Sequence, residues 1–144
     1  MTHQDEGHYA RKHPADRQVD PKIAAAAREK ASEGTMPCAT AFTIVKELGV
    51  TPDEVGFTLD FLEIKILKCQ LGLYGYQPNR KIVQPADKVG ADLEKAIGES
   101  LEGGRLSCAK AWQIAEKFNI PKMEVASACE TLKVKISPCQ LGAF

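Results

Sequence analysis

Cys69-Gln70-Leu71-Gly72 recurs as Cys139-Gln140-Leu141-Gly142, and the seventy-residue offset between the two copies decides how the chain is read. Sliding the sequence by that offset aligns residues 22–74 with 92–144 without a gap. Identities then appear throughout, among them Ala26/Ala96, Gly34/Gly104, Cys38/Cys108, Ala41/Ala111, Ile44/Ile114, Glu54/Glu124, Val55/Val125, Lys65/Lys135 and Ile66/Ile136. Phe42/Trp112, Val50/Ile120 and Ile64/Val134 are conservative pairs. Self-similarity at a fixed period is an architectural signal that precedes any local reading. It divides the 144 residues into a polar arm (1–21), a first repeat (22–74), a connector (75–91) and a second repeat (92–144). Each repeat is near the lower size limit for an independent core, so the two are expected to pack on each other or on a second chain.

Working outward from the repeated block, each repeat reads as three helices and two short strands. Ile23–Glu33 is rich in strong helix formers and is stopped by Gly34, and Leu93–Glu102 is its counterpart before Gly103-Gly104. Thr35-Met36-Pro37 and Arg105-Leu106-Ser107 leave room for one short strand. Cys38–Leu48 and Cys108–Phe118 follow, with apolar stripes at Ala41, Ile44, Val45, Leu48 and at Ala111, Ile114, Ala115, Phe118. Pro37 suits a first helical turn and Ser107 an N-cap. Gly49 and Asn119 occupy one slot, and both residue types suit a left-handed helix end. Thr51-Pro52-Asp53-Glu54 then forms a capping box for a third helix, which carries Val55, Leu59 and Leu62, or Val125, Cys129 and Leu132. Ile64–Leu67 and Val134–Ser137 alternate as strands before Cys-Gln-Leu-Gly. Within the connector, residues 75–83 are expected to form a turn and a return strand, for which the second repeat has no residues left. Residues 1–21, with Pro14, Pro21 and all three histidines (His3, His8, His13), read as an arm or a disordered tail, and the histidines as tail composition ahead of metal ligation.

Helix, strand, helix, tight turn, helix, strand resembles the winged-helix branch of the helix-turn-helix superfamily, over about 45 residues of each repeat. Val45, Gly49 and Val55 fall on the motif's small, turn and aliphatic slots, as do Ala115, Asn119 and Val125; Val45 is bulkier than the usual alanine. The chain also resembles a prokaryotic family of paired lobes, each ending in Cys-Gln-Leu-Gly, from which no activity is carried over. The resemblance implies a mainly α fold with short β-strands, arranged as two tandem winged-helix-like lobes, and DNA binding with a regulatory role.

Function is read less directly. Nineteen basic and nineteen acidic residues cancel, so no global field steers the chain to nucleic acid or anionic lipid. For DNA, the residues able to contact phosphates or bases are Arg80 and Lys81 as a basic wing, with Lys122, Ser127, Lys133 and Lys135 in the second lobe. The third helix of the first lobe is acidic, which fits a protein partner or self-association better than a phosphate backbone. The aromatics ending each repeat (Tyr74, Phe144, with Tyr76) either cover such an interface or plug their own lobe's core. A third reading uses Cys38, Cys69, Cys108 and Cys139, either as two disulfides or as a tetrathiolate site for zinc or an iron–sulfur cluster; the alternative is no cofactor and buried thiols. Gln70 and Gln140 would bond local backbone there, with Gly72 and Gly142 permitting the bend. No glycine-rich phosphate loop or Ser/His/Asp constellation appears, so the chain reads as non-enzymatic. No apolar run reaches the roughly 18–20 residues that span a bilayer, and no signal-peptide pattern opens the chain, so a cytoplasmic protein without membrane contact is expected.

Overall fold

A computed structural model of the chain describes residues 7–144, so His3 lies outside the described residues. The fold is mainly helical with a few two- and three-residue strands. In chain order the first half holds α1 (Pro21–Lys30), β1 (Thr35–Pro37), α2 (Cys38–Leu48), α3 (Pro52–Phe61) and β2 (Lys65–Leu67). The second holds α4 (Ala91–Glu99), β3 (Arg105–Leu106), α5 (Cys108–Phe118), α6 (Lys122–Leu132) and β4 (Lys135–Ile136). The same five elements thus recur in the same order.

Most boundaries follow from local chemistry. Asp20 caps α1 by accepting from the Lys22 N–H, and Ser107 caps α5 by accepting from Lys110. Thr51 and Glu54 complete both halves of the capping box at α3, with Pro52 at the first helical position. Pro37 differs from expectation: it is the N-cap itself, in an extended conformation, rather than part of the first turn. Gly49 (φ 63°) and Asn119 (φ 52°) end α2 and α5 in the left-handed region.

Helices α1 and α4 are shorter than the expected 23–33 and 93–102. Glu33 and Gly34 both take positive φ, and Ser32 and Thr35 exchange backbone hydrogen bonds, so the chain turns tightly into β1. Two left-handed residues in succession cannot continue a right-handed helix. Gly98 lies inside α4, exposed, with open space where a Cβ would stand. Gly98→Ala is therefore expected to raise stability by about 0.5–1 kcal/mol in urea unfolding, because it removes only backbone entropy from the unfolded chain.

β1 pairs parallel with β2, with Met36 opposite Ile66, and β3 pairs parallel with β4, with Leu106 opposite Ile136. All four of these central residues are buried. The expected return strand in 75–91 does not form. Pro78 and Pro85 lack a ladder donor, and Ile82 and Val83 donate instead to the Gly72 carbonyl.

The chain forms two compact units, and they do not coincide with the repeats. One takes the chain through Cys69 together with Gln140–Phe144; the other takes Gln70–Cys139. The core of the first is built from Ile23, Ala27, Met36, Ala41, Ile44, Val55, Leu59 and Ile66, all with 1% exposure or less. The core of the second includes Ile97, Leu106, Ala111, Val125, Ala126 and Cys129, at the same level. Leu48, expected on the core stripe of α2, is exposed.

The tail of each repeat is therefore part of the unit built on the other repeat. In the first unit Leu141 lies against α3 so closely that a Cβ on Gly56 would stand 1.9 Å from its carbonyl oxygen. In the second, a Cβ on Gly72 would stand 3.2 Å from the Met123 side chain of α6. Leu141 and Phe144 thus belong to the unit built on the first repeat.

Candidate functional site

Helix α3 turns Val55 and Leu59 into the core, which leaves Asp53, Phe57 and Asp60 on another face, with Glu63 just past the helix end. On an amphipathic surface helix that face would be solvated. Here Phe57 is 5% and Asp60 1% exposed, because the arm lies across them. Of the two readings of residues 1–21, an arm or a disordered tail, the described part takes the first. Composition misleads here because the arm's stabilising contacts are supplied by α3, not by its own apolar content.

Tyr9–Lys12 forms a 3-10 turn with Tyr9 buried. Its N–H groups at Tyr9 and Ala10 donate to the two oxygens of Glu63, at 2.7 and 2.9 Å. The His13 imidazole donates from Nε2 to Asp60 Oδ2 at 2.6 Å and stands edge-on to the Phe57 ring at 4.8 Å. Lys12 Nζ reaches the same Asp60 oxygen at 3.2 Å and also donates to the Gly142 carbonyl. Arg17 lays its guanidinium carbon 4.0 Å over the Phe57 ring and bonds Asp53 Oδ2 at 2.9 Å. Asp60 Oδ1 is buried with no hydrogen-bond partner among the described residues. Phe61, next along the same helix, is 52% exposed.

Glu63 can face the arm because it takes a left-handed conformation (φ 55°), as Lys133 does at the equivalent position (φ 58°). Neither is glycine or asparagine. Each turn is closed by a backbone bond that reaches back into the third helix, Ile64 to Leu59 and Val134 to Cys129.

In the second unit the segment before α4 occupies the corresponding helix. Ala86 donates its N–H to the Ser127 carbonyl and accepts from the Thr131 hydroxyl on α6, while Lys81 pairs with Glu130. The sequence carries a signal for this common arrangement. Arg11-Lys12 and Pro14-Ala15-Asp16-Arg17 are echoed by Arg80-Lys81 and Pro85-Ala86-Asp87-Lys88. The echo falls one residue either side of the seventy-residue offset, so an ungapped alignment passes over it.

Of the six residues expected to meet nucleic acid, three make contacts within the second unit. Lys81 is paired with Glu130, Lys122 lies 4.6 Å over the Trp112 ring, and Ser127 uses its carbonyl for the connector. Arg80, Lys133 and Lys135 are exposed.

Cys38 and Cys108 open α2 and α5 as expected, and the Cys108 N–H donates to the Pro138 carbonyl. None of the five cysteines is joined in a disulfide in this structure. Among the described residues no group of three or more His, Cys, Asp or Glu side chains is placed to hold a metal ion. Burial, with the neighbouring Glu130 carboxylate adding, pushes the Cys129 thiol up to about 11. The thiolate is the nucleophile, so Cys129 is expected to resist iodoacetamide in the native protein at pH 8, whereas Cys139, only half-buried, is alkylated first. Mass mapping of the alkylated protein against time checks the order. Equal rates for Cys129 and Cys139 would contradict it.

No known family model, curated protein or solved structure matches the chain. Among the described residues no helix is long and apolar enough to cross a membrane.

Proposed function

We infer that the protein is a non-enzymatic, protein-binding module made of two winged-helix-like lobes, each using its third helix to dock an extended segment. One observation carries this. The helix that a DNA-reading helix-turn-helix protein would present to a groove is, in each unit, already covered by a stretch of chain. In the first unit the covered face is acidic as well, with Asp53, Asp60 and Glu63, and a phosphate backbone is repelled by such a surface. The exposed Phe61 beside it is suited to a protein contact, since aromatic residues are enriched at interfaces.

The test uses full-length protein with the arm loosened by His13→Ala and Arg17→Ala. A fluorescein-labelled peptide of residues 8–18 is titrated against it by polarisation, in parallel with mixed genomic DNA fragments at low salt. Peptide binding at micromolar protein, absent for the wild-type chain whose own arm competes, is the expected result. A folded, loosened protein that ignores the peptide would sink the reading.

A second reading, contact with nucleic acid through the second unit, is favoured by a specific feature. Arg105 and Lys135 stand directly opposite in the β3–β4 register, both exposed and neither ion-paired among the described residues. Like charges opposed across a strand pair are destabilising, so a polyanion would relieve the repulsion. Lys133 is exposed two residues away. Salt-sensitive DNA binding that disappears in Arg105→Ala/Lys135→Ala would put this reading first; DNA binding that survives the double variant, or no DNA binding, would remove it.

A further inference from the structure

Resting on the protein-docking reading, we propose that the α3 face is a guanidinium-recognition site for an arginine-bearing segment of another protein, and that the arm is its resident, displaceable occupant. The argument starts from Asp60. Its carboxylate is 1% exposed, yet both side chains that reach it, the His13 imidazole and the Lys12 ammonium, share the single oxygen Oδ2. The other oxygen is buried and has no hydrogen-bond partner among the described residues. A buried acceptor left unsatisfied costs free energy, and native structures carry few of them. An imidazole or an ammonium offers one hydrogen at a time in a given direction, whereas a guanidinium offers two parallel N–H groups that match both carboxylate oxygens.

The surroundings match the same group. Phe57 supplies an aromatic face, and it already carries one guanidinium, that of Arg17, at 4.0 Å. Planar guanidinium groups stack on such rings while their edges bond carboxylates. Asp53 and Glu63 flank the site with two more carboxylates, and α3 has no basic residue in its last turn to offset them. The face is thus more complementary to arginine than the arm that fills it.

The arm is also held in a way that permits exchange. Between Arg11 and Arg17 its backbone hydrogen bonds run within the arm, from Arg11 to His8, His13 to Ala10 and Arg17 to Pro14. Its grip on α3 over that stretch is through side chains alone, while residues 14–16 are exposed. A covalently tethered occupant competes through its high effective concentration, so a better-matched segment from outside displaces it only if it binds the bare face more tightly.

The experiment compares two labelled peptides of residues 8–18, one of native sequence and one carrying His13→Arg, against the full-length His13→Ala/Arg17→Ala protein. The arginine peptide is expected to bind about tenfold tighter, the order of gain from converting a single charged hydrogen bond to a bidentate pair. Asp60→Asn added to the loosened protein is expected to abolish the difference, with circular dichroism confirming that the helices persist. Equal affinity of the two peptides would overturn guanidinium recognition while leaving the docking reading intact. Failure of both peptides to bind the folded protein would overturn both. Sedimentation of the loosened protein supplies the remaining outcome: concentration-dependent dimers that the arginine peptide cannot dissociate would assign the face to a second copy of the chain instead.

Discussion

Gly56→Ala is expected to lower the stability of the first unit by about 2 kcal/mol, although alanine is the better helix former. Gly56 sits inside α3, where exchanging glycine for alanine normally gains about 1 kcal/mol. Here the new Cβ would stand 1.9 Å from the Leu141 carbonyl oxygen and 2.6 Å from its carbonyl carbon. Both are backbone atoms, so no side-chain rotation relieves the clash. Overpacking of this kind typically costs about 1–3 kcal/mol, and a clash this close lies at or beyond the upper end of that range. The only other escape is release of residues 140–144, which exposes Leu141 and Ala143. Urea unfolding at constant protein concentration reads the loss. A variant as stable as the parent would mean that Leu141 does not lie against α3. Gly98→Ala is the matched control: the same substitution in an open helical site should have the opposite sign.

Leu141→Ala is expected to cost about 3 kcal/mol, and to weaken the unit that does not precede it in the chain. Leu141 is 2% exposed, and truncating a buried leucine costs roughly 2–5 kcal/mol through lost transfer free energy and the cavity left behind. Hydrogen exchange locates the effect. Amides of α3, over Val55–Asp60, should lose protection, while those of α6, over Val125–Glu130, should lose less. The reverse pattern would show the tail packed within its own repeat. Leu71→Ala should give the mirror result, weakening α6 more than α3, since Leu71 is fully buried and belongs to the unit of residues 70–139.

Residues 38–48 and 108–118 could be placed as helices to the residue, because each is bounded by local chemistry: a proline or a serine in front, although Pro37 proves to be the cap and not part of the first turn, and a left-handed glycine or asparagine behind. The third helix of the first repeat was legible for the same reason, through Thr51, Pro52 and Glu54, whereas α6 begins after Pro121 without a side-chain cap. Helix α1 was overextended because helix propensity continues past Lys30, whereas the turn into β1 is set by the pairing of Thr35 with Lys65 thirty residues away. Of the candidate site, Asp53 and Phe57 were legible as positions on the presented start of the third helix. Asp60 and Glu63 were not, since nothing local distinguishes a solvated helix face from one covered by a distant segment. His13 was discounted as composition for the same reason: its partner lies 47 positions away.

The sequence by itself determined the two sets of helices and strands, their caps and their common order, because each depends on residues within a few positions of one another. Only the tertiary structure decided which segment covers which helix. Cys-Gln-Leu-Gly ends each repeat in sequence, yet Leu71-Gly72 is built into the unit of the second repeat and Leu141-Gly142 into that of the first. Two copies of one motif offer nearly equivalent docking sites for each other's tails. Local propensity cannot choose between them; side-chain fit does, as at Gly56, where a missing Cβ leaves room for a backbone carbonyl.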